Sequence, residues 1–179
     1  MTRPIFIIGY MACGKTTFGR ALAQATGKQF IDLDFYIEQR FHTTVSRIFA
    51  EKGEQEFRRI ESAMLREAGE FENTIIACGG GTPCFNGNMD YMLEHGLTLF
   101  LDTSPECMTR RLVENSSRRP LMAGKTPDEI QTAVTDGLAA RLPHYSRAEI
   151  RFSGDDLEDR RQISRSIEKF LAAHQDIIS

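Results

Sequence analysis

The stretch Ile5-Phe6-Ile7-Ile8-Gly9-Tyr10-Met11-Ala12-Cys13-Gly14-Lys15-Thr16-Thr17 constrains this chain more than any other. An unbroken apolar run ends at a glycine, and Gly-Lys-Thr-Thr follows after four residues. The result is G-x-x-x-x-G-K-T, the phosphate-binding P-loop pattern. Residues 5–8 show no polar alternation, which predicts a strand buried on both faces of a parallel sheet. Gly9 and Gly14 let the backbone wrap a phosphate with N–H groups pointing inward. A helix from about Lys15 adds its positive N-terminal end. In this pattern the Lys15 ammonium reaches the β- and γ-phosphates and the Thr16 hydroxyl ligates Mg²⁺. Ala12, Cys13, Gly14 and Thr17 complete the nucleotide-contacting set.

At 179 residues the chain is expected to form one domain, 1–179, with a substantial core. With 26% charged residues and a net charge of −3, nothing argues for nucleic acid or an anionic membrane as partner. No apolar run approaches transmembrane length. The chain enters its first strand at once, leaving no room for a signal peptide. Cys13, Cys78, Cys84 and Cys107 form no C-x-x-C and no cluster with histidine, so reduced thiols in a cytoplasmic protein are expected.

Beyond the P-loop, Phe18, Ala21, Leu22 and Ala25 mark the buried stripe of a first helix, with Gly27 as its C-cap. Residues 29–34 read as a second strand ending in Asp32 and Asp34, followed by a helix over 35–41. Thr44 caps a short helix stopped at Gly53, and 54–69 is amphipathic, with Arg58 and Glu61 on one flank at i,i+3 spacing. A third strand, 74–78, runs into Gly79-Gly80-Gly81. A helix over 88–95, a strand over 97–102 and a helix opened by Ser104-Pro105 follow. Residues 115–125 are polar, basic and punctuated by glycine and proline, which predicts a mobile loop. Thr126-Pro127-Asp128-Glu129 is a capping box whose helix ends at Pro143. A weaker strand over 149–152 and a closing helix over 156–174 complete the chain.

Alternating strands and helices predict an α/β fold with a parallel sheet covered on both faces. Ligands in such folds sit at the carboxyl ends of the strands, where the P-loop, Asp32, Asp34, Gly79–Gly81 and Asp102 all fall. Asp32, Asp34 and Asp102 are candidates to support a metal. Alternation along a strand end turns Asp32 and Asp34 in opposite directions, one to the metal and one to an acceptor whose proton it can take. The triple glycine permits close backbone approach to a small molecule. Arg118 and Arg119 lie in the basic loop, where a guanidinium can reach a phosphoryl group. Arg58 and Arg141 are able to clamp a carboxylate, although spacing alone does not bring them together.

Several motifs taken together resemble the shikimate kinase family. They are G-x-x-x-x-G-K-T-T-x-G-R-x-L-A, D-x-D, F-A-E-x-G-E-Q-E-F-R-R-I-E over Phe49–Glu61, G-G-G, R-P-L at Arg119 and R-x-P-x-Y at Arg141. The resemblance spans about residues 5–152. It implies a three-layer αβα P-loop fold with a five-stranded parallel sheet, an acceptor-binding helical region at about 33–61 and a lid at about 112–125. It also implies transfer of the ATP γ-phosphate to the 3-hydroxyl of shikimate, with one Mg²⁺, by a monomer. By motif, Lys15, Asp34 and Arg119 are the expected catalytic residues. Thr16 and Asp32 support Mg²⁺, while Asp34, Arg58, Gly79, Gly80, Gly81 and Arg141 bind shikimate. Phe49 and Phe57 wall the pocket, Arg119 reaches the phosphates, and Arg111 lies near adenine. The chain departs from the family at Ala12 and Cys13, at Pro83, and over 153–161, where no adenine contact is assigned.

A gluconate kinase accounts for the P-loop and lid but not for the arginine pair with D-x-D. A nucleotide-dependent switch of the GTPase kind needs an N/T-K-x-D motif, which is absent from the sequence.

Overall fold

A computed structural model describes residues 3–115 and 124–178, the last four by backbone only. β1 (Ile5–Ile8) is buried along its whole length. It pairs in parallel with β3 (Thr74–Ala77) on one side and β4 (Leu97–Asp102) on the other. β2 (Gln29–Asp32) extends the sheet beyond β3, and β5 (Ile150–Ser153) extends it beyond β4. The order is therefore β2-β3-β1-β4-β5, all parallel. Because β1 lies between β3 and β4, the chain's connections diverge at its carboxyl end, which opens a crevice there.

Seven helices are present among the described residues: α1 (Lys15–Thr26), α2 (Leu33–Phe41), α3 (Val45–Gly69), α4 (Asn88–His95), α5 (Pro105–Glu114), α6 (Pro127–Tyr145) and α7 (Arg160–Ile178). Their ends follow the expected chemistry. Thr44, Ser104 and Thr126 each accept a first-turn N–H, and the Thr126–Glu129 capping box is complete. Gly27 closes α1 at φ 68°. α3 is two helices joined at Gly53, whose φ of 81° breaks the helical path where the sequence predicts a stop.

β3 ends one residue early, at Ala77, β5 is shifted by one residue to Ile150–Ser153, and the boundaries differ more in three other places. β2 ends at Asp32, and Leu33 already begins α2, because the Asp32 carboxylate accepts from Phe35 N at 3.3 Å and caps the helix. Asp34 is therefore in a first helical turn rather than at a strand end. α6 passes through Pro143 to Tyr145: the proline removes one hydrogen bond near the end of the helix, while Ser146 N still reaches Leu142 O at 2.8 Å. α7 begins later than expected because Asp155 accepts from Ser104 N and Oγ and Asp159 Oδ1 accepts from Gln162 N, so residues 155–159 form a turn. The buried stripe of α1 is also shifted, to Phe18, Gly19, Leu22 and Ala23, and Ala25 is exposed.

Phe18 ties the P-loop helix to the far edge of the sheet. Its ring lies 5.5 Å from Phe152 on β5 and 5.3 Å from Phe170 on α7, with no solvent exposure. No described helix is long and apolar enough to cross a membrane. Truncation of Phe18 to alanine is expected to lower unfolding free energy by about 3–5 kcal/mol, because a cavity would open among three rings. Urea unfolding followed by circular dichroism measures it. A loss below about 1 kcal/mol would show that the aromatic cluster does not anchor α1.

Candidate active site

The crevice is a cleft of about 690 Å³ lined by the P-loop, Asp32, Asp34, Cys78, Gly79 and Gly80, together with Arg111, Glu114, Asn115, Leu157 and Glu158. Three adjacent strand ends build it: β1 delivers the P-loop, β3 the triple glycine, and β2 the carboxylates.

The P-loop has the backbone that phosphate binding requires. Gly14 stands at the N-cap of α1 with φ 102°, and no side chain caps the helix. The first-turn N–H groups of a helix have no partner within it, so this end is free for an anion. Lys15 Nζ donates to Gly9 O at 2.8 Å and Tyr10 O at 2.9 Å, which folds the ammonium over the loop. Ala12 adopts φ 62°, a conformation that favours glycine. Arg111 steadies that peptide by donating to Ala12 O at 3.2 Å, and its other nitrogens bind Gly154 O, Asp155 O and Glu158. Arg111 thus joins the loop to the 153–161 segment, whose Leu157 and Glu158 line the cleft although the sequence assigns them no contact.

Thr16 Oγ1 donates to Asp32 Oδ2 at 2.9 Å. The two hard oxygen-bearing side chains sit together at the N-terminus of α1, a donor set that suits a small divalent cation keeping most of its ligands as water and phosphate. No group of three or more acidic, histidine or cysteine side chains is placed to hold a metal by itself among the described residues. Asp102, the third acidic candidate, is elsewhere. Its carboxylate is taken by Arg151 of β5 at 2.6 Å, because β4 pairs with β5 away from the crevice.

Asp32 and Asp34 both line the cleft, rather than projecting oppositely as strand alternation predicts. The switch from strand to helix at Leu33 turns both carboxylates to one side. Asp32 faces Thr16, and Asp34 faces the Gly79 turn. Enclosure of the Asp34 carboxyl, then repulsion from Asp32 and Glu61, raises its pKa to about 6, with Lys15 opposing. The residue as a whole is open at the cleft mouth. Burial of the carboxyl disfavours its charged form, and solvent at the mouth moderates that effect.

The triple glycine makes room for side chains of the protein itself. A Cβ on Gly79 would lie 3.1 Å from Glu61 Oε1 and 3.3 Å from Asp34 Oδ1. On Gly80 it would lie 3.0 Å from an Arg141 nitrogen, and on Gly81 it would lie 2.6 Å from an Arg58 nitrogen. None of the three has a positive φ, so space rather than backbone freedom is the requirement. Asp34, Arg141 and Arg58, far apart in sequence, therefore converge on one turn. Arg58 and Arg141 stand beside the cleft, flanking Gly81 and Gly80 respectively.

Glu61 was not among the expected site residues, though the i,i+3 spacing to Arg58 signals the pair. It is 1% exposed, accepts from Arg58 Nη1 at 2.9 Å and from Thr82 Oγ1 at 2.7 Å, and so ties α3 to the glycine turn. Arg58 is further enclosed by the rings of Phe85, Phe57 and Phe49 at 4.2, 5.3 and 5.8 Å. Tyr145, at the end of the R-x-P-x-Y motif, donates to Gly80 O, and burial raises its phenol pKa so that it stays protonated. Pro83 sits in a 3₁₀ turn, Thr82–Cys84, that continues the glycine segment. Arg118, Arg119 and most of the expected lid lie outside the described residues, so their roles rest on sequence alone.

A family profile described as shikimate kinase matches residues 11–172. A shikimate kinase of Phocaeicola vulgatus is 49% identical over 168 residues, covering 94% of this chain and 95% of that one. The crystal structure of shikimate kinase from Bacteroides thetaiotaomicron superposes with a TM-score of 0.93 at 44% identity, covering 97% of this chain and 98% of that one. Shikimate kinase from Acinetobacter baumannii in complex with shikimate gives a TM-score of 0.83 at 26% identity, covering 100% of this chain and 97% of that one.

Asp34 leaves a signature in stability. Its folded pKa lies above the unfolded 3.8, so the proton favours the fold. That contribution is full below the unfolded value and is lost as pH rises through about 6. Asp34→Asn is expected to raise Tm at about pH 8 and to leave it nearly unchanged at about pH 3.5. Equal shifts at both, by scanning calorimetry, would mean that the Asp34 carboxyl is not held at an unfavourable charge.

Proposed function

The chain belongs to the shikimate kinase family, and on that premise we propose that it transfers the γ-phosphate of ATP to the 3-hydroxyl of shikimate. The products are shikimate 3-phosphate and ADP, on the route to chorismate and the aromatic amino acids. One observation carries the substrate side: the Gly79–Gly81 turn gathers a carboxylate, Asp34, and two guanidiniums, Arg141 and Arg58, next to a phosphate-binding loop. Arginines suit a carboxylate, and an acidic side chain suits hydroxyls. An acidic polyol presents both.

Lys15 and the first-turn N–H groups of α1 bind the ATP phosphates and stabilise charge on the transferring group. The base end of the nucleotide lies toward Arg111 and Leu157. Thr16 and Asp32 would hold one Mg²⁺, which would neutralise phosphate charge when bound. Arg58 and Arg141 grip the shikimate carboxylate, with Gly79, Gly80 and Gly81 backing the ring. Glu54 pairs with Arg58 at 3.3 Å but is 60% exposed, so it is the partner a substrate carboxylate replaces, while buried Glu61 keeps the guanidinium in place. Asp34 orients the acceptor hydroxyl. With a pKa of about 6 it is ionised at neutral pH and able to take the hydroxyl proton. These groups lie in a single kinase domain, which acts as a monomer. Four free cysteines suit the cytoplasm.

The deciding measurement is ADP release with ATP and Mg²⁺ in the presence of shikimate, gluconate or no acceptor. Release is expected with shikimate alone, and preference for gluconate would overturn the proposal. Arg58→Ala is expected to raise the shikimate KM at least about tenfold with a smaller effect on kcat, whereas Lys15→Ala acts mainly on kcat. An intact shikimate KM in Arg58→Ala would remove the acceptor site from this position.

The pH profile gives a separate check. kcat/KM for shikimate is expected to rise with pH through about 6, as free-enzyme Asp34 ionises. A profile flat from about pH 5 to 7 would exclude an essential ionised Asp34 with this pKa.

A further inference from the structure

The two arginines beside the glycine turn are held in different ways. Arg58 has two glutamate partners and three aromatic neighbours. Arg141 has no carboxylate within ion-pair distance among the described residues. Its guanidinium lies instead over the ring of Tyr10, 5.0 Å from the centroid. The Tyr145 hydroxyl is also beside it, donating to Gly80 O while its oxygen faces one guanidinium N–H, which leaves the other donors of Arg141 unengaged by side chains among the described residues.

Tyr10 is itself firmly seated. It is 5% exposed, and its hydroxyl donates to Ala133 O at 3.4 Å. Its ring fills the space left by Gly137, one turn before Arg141 on α6. A Cβ on Gly137 would lie 2.7 Å from Tyr10 Cζ. The backbone of the same residue belongs to the P-loop, where its carbonyl takes Lys15 Nζ. Tyr10 therefore has its main chain in the donor loop and its side chain against the helix that carries the acceptor clamp.

We propose that Tyr10 is a positioning residue for Arg141, its ring face holding the guanidinium where it grips the acceptor carboxylate. The proposal rests on the kinase reading above. An aromatic face orients a guanidinium without occupying its N–H donors. An acidic partner would engage some of those donors and repel an incoming carboxylate. Tyr10 thus aims Arg141 while leaving its hydrogen-bonding capacity for substrate.

The test uses the full chain and steady-state kinetics. Tyr10→Leu keeps an apolar side chain but removes the ring. It is expected to raise the shikimate KM about fivefold to tenfold, a clearly larger change than in ATP KM or kcat. Tyr10→Phe keeps the ring and is expected to restore the shikimate KM to within about twofold of wild type. Gly137→Ala adds a methyl group against the hydroxyl end of the ring, displacing it, and should reproduce the Tyr10→Leu defect, with thermal unfolding confirming that each variant is folded. An unchanged shikimate KM in folded Tyr10→Leu overturns the inference. So does a parallel loss in ATP KM and kcat, or a Tyr10→Phe defect as large as that of Tyr10→Leu. Wild-type protein that releases no ADP with shikimate overturns the kinase reading and this inference with it. Wild-type activity beside an unaffected Tyr10→Leu overturns this inference alone.

Discussion

Four apolar residues, Ile5–Ile8, carry the architecture. They hydrogen-bond to β3 on one side and β4 on the other, and they are buried on both faces. A strand with no solvent face can occupy only the interior of a sheet, and its parallel neighbours require helices above and below. Once β1 is central, its carboxyl end lies beside the ends of β3 and, one strand further, β2. The P-loop, the triple glycine and the acidic pair meet because their strands are adjacent.

Within that frame the site is a balance of opposed charges over short distances. Asp32 is tied to Thr16, Glu61 to Arg58 and Thr82, and Lys15 to loop carbonyls. Asp34 has no such partner among the described residues and carries the raised pKa, caused by enclosure and by its acidic neighbours. A buried pair such as Arg58–Glu61 is costly to break one side at a time, because the survivor keeps its charge without solvent. That cost holds Arg58 in place, and the absence of side chains at Gly79–Gly81 is what lets these groups approach the backbone.

Much of this was legible in the sequence where chemistry is local. The P-loop, the caps at Thr44, Ser104 and Thr126, the break at Gly53 and the five strands follow from residue types at fixed offsets. Boundaries failed where a distant or competing contact decided them. Asp32 capped α2 instead of prolonging β2, Asp159 delayed α7, and α6 ran on past Pro143 to Tyr145, whose hydroxyl bonds the glycine turn. Asp102 looked equivalent to Asp32 as an acid ending an apolar strand. Only the strand order shows that it faces Arg151 and not the crevice.

The sequence by itself determined that a phosphate-binding pattern joins β1 to α1, that the sheet is parallel with a buried central strand, and, through motif resemblance, the family to which the chain belongs. Those are properties of short segments, set by periodicity, glycine placement and capping. The tertiary structure decided which side chains share a turn. Asp34, Arg58 and Arg141 meet at Gly79–Gly81, Glu61 locks one arginine, and Tyr10 of the P-loop faces the other. No spacing rule relates those positions, because they become neighbours only when strand pairing and the packing of α3 and α6 close long loops.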